Sequence, residues 1–187
     1  LIAIGASTGG PEAIIKVVKD LPENSPPVVI TQHMPPKFTD MFAQRLNRLS
    51  KLEVKEAQDG DRLKPGVALV AAGDYHLRVH KDFNGYYVTS KQGEKVSGHC
   101  PSVDVLFQSV AECAKDKAIG VILTGMGADG AKGLYDMKKA GAFTIGQDME
   151  SCVVYGMPKV AFNIGAVSEQ CHIDNIADLI YKNIRID

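Results

Sequence analysis

Residues 1–11 read LIAIGASTGGP, and this short stretch decides the fold. Residues 1–5 have the continuous hydrophobicity of a strand buried on both faces. Gly9 and Gly10 interrupt the extended chain. Pro11, whose φ is pre-set for a first helical turn, then opens a helix running to about residue 20. The alternation continues outward. Residues 27–32 (PVVITQ) are a second buried strand, followed by the turn His33-Met34-Pro35-Pro36. A helix over about 38–49 comes next, with Phe38, Met41, Phe42 and Leu46 recurring at helical spacing and assigned to the core. Strands at 52–57 and 67–71 are separated by Asp59-Gly60-Asp61, and residues 76–80 and 86–90 flank Asn84-Gly85, a strong hairpin signal. Ser102 caps a helix to about 115; a strand over 119–124, a helix over 131–140 and a strand over 142–147 follow, with short helices near 157–163 and 175–184. This order predicts an α/β fold: a doubly wound, mostly parallel sheet with helices on both faces and one antiparallel β-hairpin. Neither repeat nor linker interrupts it, so residues 1–187 read as one domain.

Composition narrows the function without naming it. The 187 residues carry 21 Lys plus Arg against 22 Asp plus Glu, a net charge of −1, with 45% hydrophobic and 23% charged residues. That is ordinary globular usage, and it lacks the basic excess of a nucleic-acid binder. No apolar run approaches the roughly 18 residues of a membrane span, and no signal core is present, so a cytoplasmic protein without membrane insertion is expected. Cys100, Cys113, Cys152 and Cys171 include no C-x-x-C pair, which points to reduced, mostly buried thiols and not to a zinc ribbon. The chain starts at Leu1, as expected of a fragment of a longer protein.

In open α/β sheets ligands bind beyond the carboxyl ends of the strands, so the residues just after each strand carry the chemistry. After the first strand, Gly5-Ala6-Ser7-Thr8-Gly9 fits G-x-S-x-G, a turn that exposes a serine at a helix N-terminus. The bland reading makes Ser7 a helix cap. His33 follows the second strand on a proline-restrained turn suited to a general base. Asp129 follows the strand over 119–124 and can orient a histidine, or merely cap the next helix. All three fall on one edge of the sheet, in an order unlike that of the α/β-hydrolases. A competing reading remains open at this level: Gly125-Met126-Gly127-Ala128-Asp129-Gly130 also fits G-x-G-x-x-G, and Asp148, 18 residues past Gly130, stands where a ribose-binding acid would. A carboxylate at 129 close to a pyrophosphate counts against it. His76 and His80 lack a third metal ligand, His99 belongs to a polar loop near the site, and His172 to the surface. No metal site is expected.

The blocks IGASTGGPEAI, ITQHMPPKFTDMFAQRLN, GDYHL, PSVDVLF, GVILTGMGADGAKGL and SCVVYGMPKVA, spread over nearly the whole chain, resemble the catalytic domain of the bacterial chemotaxis protein-glutamate methylesterases (the CheB family), which are serine hydrolases. The resemblance implies Ser7 as nucleophile, His33 as base and Asp129 as orienting acid, with oxyanion contacts from the backbone N–H groups of Met126 and Thr8. It implies demethylation of glutamyl methyl esters and deamidation of glutamines on methyl-accepting chemotaxis receptors, without a cofactor. The partners it implies are that receptor and the protein's own N-terminal receiver domain, which with its linker is absent from this sequence. Cys100 stands where the family commonly has arginine. A non-enzymatic receptor-docking module is the remaining alternative.

Overall fold

Ile2–Ala6, every residue buried, form strand β1 in the middle of the principal sheet of a computed structural model that describes residues 1–184. The other elements follow in chain order: α1 (Gly10–Val18), β2 (Val28–Gln32), α2 (Phe38–Leu49), β3 (Glu53–Glu56), β4 (Val67–Val70), β5 (Tyr75–Asp82), β6 (Gly85–Gln92), α3 (Val103–Cys113), β7 (Ile119–Ile122), α4 (Ala131–Lys139), β8 (Phe143–Gln147), α5 (Met157–Asn163), β9 (Glu169–Cys171) and α6 (Ile176–Lys182). Among the described residues seven strands make one sheet in the order β3-β4-β2-β1-β7-β8-β9, and every pairing is parallel. The chain builds outward from β1 through β2, β3 and β4, then crosses back to β7, β8 and β9. The topological switch therefore lies between β1 and β7.

Side-chain alternation along β1 explains the two covered faces. Ile2, Ile4 and Ala6 join one core with Ile14, Val18, Phe42, Leu46 and Ile180, so α1, α2 and α6 cover that side. Ala3 points the other way and joins Leu106, Phe107, Leu134, Met137 and Ala161, which places α3, α4 and α5 there. Burying a side chain the size of Ile4 or Phe107 is worth roughly 1.5–3 kcal/mol.

The hairpin is a separate two-stranded sheet, with Val79 opposite Val88. Leu77, Val79 and Val88 enter the second core, and the Val79 N–H donates to Ser109 Oγ of α3 at 2.9 Å, so the hairpin docks on a helix and leaves the main sheet wholly parallel. Its loop is Phe83-Asn84, with Gly85 at φ 104° already paired opposite Asp82.

Three expectations change. Phe38 and Met41 are 56% and 61% exposed, because the buried stripe of α2 runs through Thr39, Phe42, Ala43 and Leu46. Thr39 holds that inward register: its hydroxyl donates to Glu56 Oε2 at 2.6 Å and accepts from the Gly73 N–H at 3.0 Å. An apolar count misses a polar residue buried with its partners. Second, β9 has no counterpart in the sequence reading, since Glu-Gln-Cys at a sheet edge has no apolar run to announce it. Third, the four cysteines are free thiols but only half-buried, with Cys171 and Cys113 packed against the edges of the two cores.

Candidate active site

Ser7, His33 and Asp129 each follow a strand at the carboxyl edge of the sheet, and β1 and β7 flank the switch point. The Ser7 turn is fixed by its backbone. Its N–H donates to the Thr124 carbonyl at 3.0 Å, and its carbonyl accepts from the Gly10 N–H at 2.7 Å. Gly9, at φ 80°, is the N-cap of α1, so the side chain of Ser7 caps nothing. Gly125 lies against this turn: a Cβ there would stand 2.8 Å from the Ser7 Cβ, so only glycine lets the two loops meet.

His33 is set beside it by neighbouring strands. Its N–H donates to the Ala6 carbonyl at 3.2 Å, continuing the β1–β2 ladder to the residue before Ser7. Gln32, almost wholly buried, ties the two loops from below, donating from Nε2 to the carbonyls of Ser7 (2.9 Å) and His33 (3.2 Å). The His33 ring makes a 2.6 Å hydrogen bond through Nε2 to Asp129 Oδ2, and the side chains are 8% and 1% exposed. An ionised carboxylate only accepts, so Nε2 carries the proton and the lone pair is left on Nδ1. Nδ1 is buried and has no hydrogen-bond partner among the described residues.

Asp129 does not cap the helix it precedes, whose N-cap is Gly130. Its carboxylate crosses to the N-terminus of α3, accepting from the N–H groups of Val103 (2.8 Å) and Asp104 (2.9 Å) and from the Ser102 hydroxyl (2.8 Å). Burial alone would raise its pKa. The hydrogen bonds from His33, Asp104, Val103 and Ser102 outweigh burial and hold the carboxyl below its ordinary range, with the helix N-terminus favouring negative charge. Asp104 returns the arrangement, accepting through Oδ1 from the Gly133 N–H in the first turn of α4 at 2.8 Å. Each helix is thus capped by a carboxylate from the start of the other.

Thr8 is exposed and Met126 is 66% exposed, and their N–H groups donate to no protein acceptor among the described residues. Thr124 anchors the strand end between them, donating from Oγ1 to the Thr8 carbonyl at 2.9 Å. A cavity of about 310 Å³ opens beside His33, bounded also by Pro36, Asp74, Lys95, His99 and Cys100. The glycine turn 125–130 therefore brings Asp129 to a histidine. Two of the groups a dinucleotide would use are engaged elsewhere: Gly133 N–H holds Asp104, and Asp148 Oδ1 accepts from the Ser151 N–H (3.0 Å) and hydroxyl (2.6 Å).

Residues 2–180 match the family model for CheB methylesterase. The chain belongs to the CheB methylesterase family. It is 56% identical over 98% of its length to protein-glutamate methylesterase/protein-glutamine glutaminase 2 of Syntrophomonas wolfei, covering 54% of that relative. To the protein-glutamate methylesterase/protein-glutamine glutaminase of Salmonella typhimurium it is 53% identical, again over 98% of this chain and 53% of the relative. The chain thus spans about half the length of the curated relatives it matches. The crystal structure of the Thermotoga maritima CheB methylesterase catalytic domain superposes with a TM-score of 0.94 at 40% identity, covering 97% of this chain and 96% of that one.

Within this family member, the structure brings Ser7, Thr8, His33, Met126 and Asp129 to one sheet edge. Gln32, Ser102, Asp104 and Gly125 act there too; the sequence marked Gly125 only within the competing dinucleotide pattern and gave the other three no role at the site. Only the quoted blocks hinted at these residues, since each works through contacts made across the chain. His76 and His80 form no pair: both ring nitrogens of His76 are engaged by backbone groups, and His80 Nε2 lies 2.9 Å from Thr89 Oγ1.

Proposed function

We propose that this chain is the catalytic unit of a cytoplasmic protein-glutamate methylesterase and protein-glutamine glutaminase acting on methyl-accepting chemotaxis receptors. The observation that carries the reading is the His33–Asp129 bond, which commits the Nε2 proton and leaves a buried, unpartnered Nδ1 on a histidine that Gln32 ties to the Ser7 turn. Ser7 Oγ attacks the carbonyl carbon of a glutamyl methyl ester while His33 Nδ1 takes its proton. The backbone N–H groups of Met126 and Thr8 receive the developing oxyanion. The imidazolium returns the proton to the leaving methoxide, methanol departs, and the acyl-serine remains. Water deprotonated by His33 then releases the glutamate and frees Ser7. With a glutamine substrate the same sequence expels ammonia. An open site suits an ester on a receptor surface, and the names borne by the full-length relatives support that substrate class. The rest of a protein of their length is assigned to a regulatory receiver domain and its linker, with residues 1–187 as the catalytic domain.

Methanol release from methylated receptor tests the reading. Ser7→Ala is expected to lower turnover on the order of 10⁴-fold or more while leaving the circular dichroism spectrum unchanged. Equal rates for the two proteins would overturn the serine mechanism. Receptor binding without methanol release by the parent chain would leave a docking module instead.

A further inference from the structure

Between the hairpin and α3 the chain runs beside His33 as a strap, residues 93–101, pinned by His76 and Asp104. Buried His76 on β5 closes the two ends together: its Nε2–H donates to the Glu94 carbonyl at 2.7 Å, and its Nδ1 accepts the Ser102 N–H at 3.2 Å. At the tip, Val96 and His99 exchange backbone hydrogen bonds of 2.9 and 3.0 Å around Ser97 and Gly98. Both of these lie at positive φ (52° and 82°), as a type I′ turn requires. The Ser97 hydroxyl is held at 2.7 Å by Oδ2 of Asp104, the same buried carboxylate that caps α4. The strap delivers His99, whose ring stacks on His33 with centroids 3.6 Å apart and planes within 8°.

We propose that His99 is a positioning residue for the reaction: a neutral ring, pre-set by the strap, that keeps the His33 imidazole in plane and accommodates the charge His33 gains in the transition state. The inference rests on His33 acting as the base. A flat ring in van der Waals contact blocks rotation of His33 toward that side, so Nε2 stays on Asp129 and Nδ1 keeps its lone pair free. When His33 becomes imidazolium, an uncharged π-face across 3.6 Å is attractive, whereas a second cation there is repulsive. The site favours the neutral form. Burial lowers the pKa of His99, and His33 and Lys95 lower it further against the opposing pull of Asp129. Asp74 and Cys100 are the other ionisable groups on the wall of the shared cavity.

Three substitutions separate ring, charge and fold. His99→Ala removes the stack and is expected to lower kcat about ten- to a hundred-fold with KM little changed, because the base is no longer held in its attack geometry. His99→Phe restores a neutral ring and is expected to bring kcat back to within about threefold, with the acidic limb of the kcat/KM profile close to the parent's. His99→Arg also stacks but carries a fixed positive charge. Since a nearby cation disfavours protonating His33, its acidic limb moves to lower pH, and its plateau falls below that of His99→Phe because the imidazolium transition state is opposed. A merely structural role would not separate Phe from Arg. The inference fails if Ala matches the parent in kcat and pH profile, if Phe keeps a parent-like Tm without recovering kcat, or if Arg and Phe coincide. Should Ala not fold, the Phe and Arg profiles decide alone. Ser7→Ala is run alongside: residual activity there removes the serine mechanism itself, whereas an inactive Ser7→Ala with indifferent His99 variants removes only the role of His99.

Discussion

The two ends of the site are built on opposite principles. At one end Asp129 is 1% exposed and both its oxygens are taken, by two helix N–H groups, a hydroxyl and an imidazole. At the other, Ser7 is half-buried on a glycine turn, and the N–H groups of Thr8 and Met126 have no protein acceptor among the described residues. The acid end is satisfied before any substrate arrives; the Ser7 end, proposed as the nucleophile's, has donors free for one. In the proposed mechanism positioning and reaction are thus divided along the sheet edge, and His33 joins them, with one nitrogen committed to the acid and the other free.

The strongest way to break this division is Asp129→Asn. An amide in place of the carboxylate can donate to Nε2, which shifts the imidazole proton to Nδ1 and removes the free lone pair with which His33 would take a proton. Turnover is expected to fall by about 10⁴-fold, measured as methanol release, a magnitude the serine-protease precedent supplies. A drop of less than tenfold would show that the carboxylate does not select the tautomer. Next in size is Gly125→Ala at the open end. The new Cβ would meet the Ser7 Cβ at 2.8 Å and Met157 Sδ at 2.4 Å, so the Ser7 turn has to shift. A tenfold to hundredfold loss in kcat is expected, about what a displacement of an ångström costs. An unchanged kcat in a folded protein would show that the turn tolerates movement.

The smallest effect is on stability. Asp129 has a pKa below its unfolded value, so its contribution is fully present above the ordinary aspartate value of about 3.9 and is lost as pH falls through the lower folded value. Urea midpoints for the parent should therefore decline over that acidic window. Asp129→Asn, lacking the titrating group, should be less stable at neutral pH and lose less on acidification. Parallel curves for the two proteins would contradict the assignment.

Strand ends were legible in the sequence because buried parallel strands are unbroken apolar runs and glycine or proline marks where they stop. Ser7, His33 and Asp129 fall at such points, so their shared edge followed from the alternation alone. The wiring behind them was not legible. Gln32 looks like the last residue of a strand, and only the fold shows it tying two loop carbonyls together. Asp104 reads as an acid in a first helical turn, yet its carboxylate accepts from Ser97 and from Gly133, 29 residues away. Phe38 and Met41 show the opposite error: helical spacing identifies a face, but the sheet beneath decides how far that face is covered.

The reciprocal capping of α3 and α4 has a practical consequence. Because Asp129 is also the cap that completes another helix, a chain inactivated there confounds lost chemistry with lost protein, and its abundance in a cell would fall along with its activity. Ser7 caps nothing and can be silenced at little structural expense. A substrate-trapping or dominant-negative form of this domain is therefore better made at the serine than at the acid.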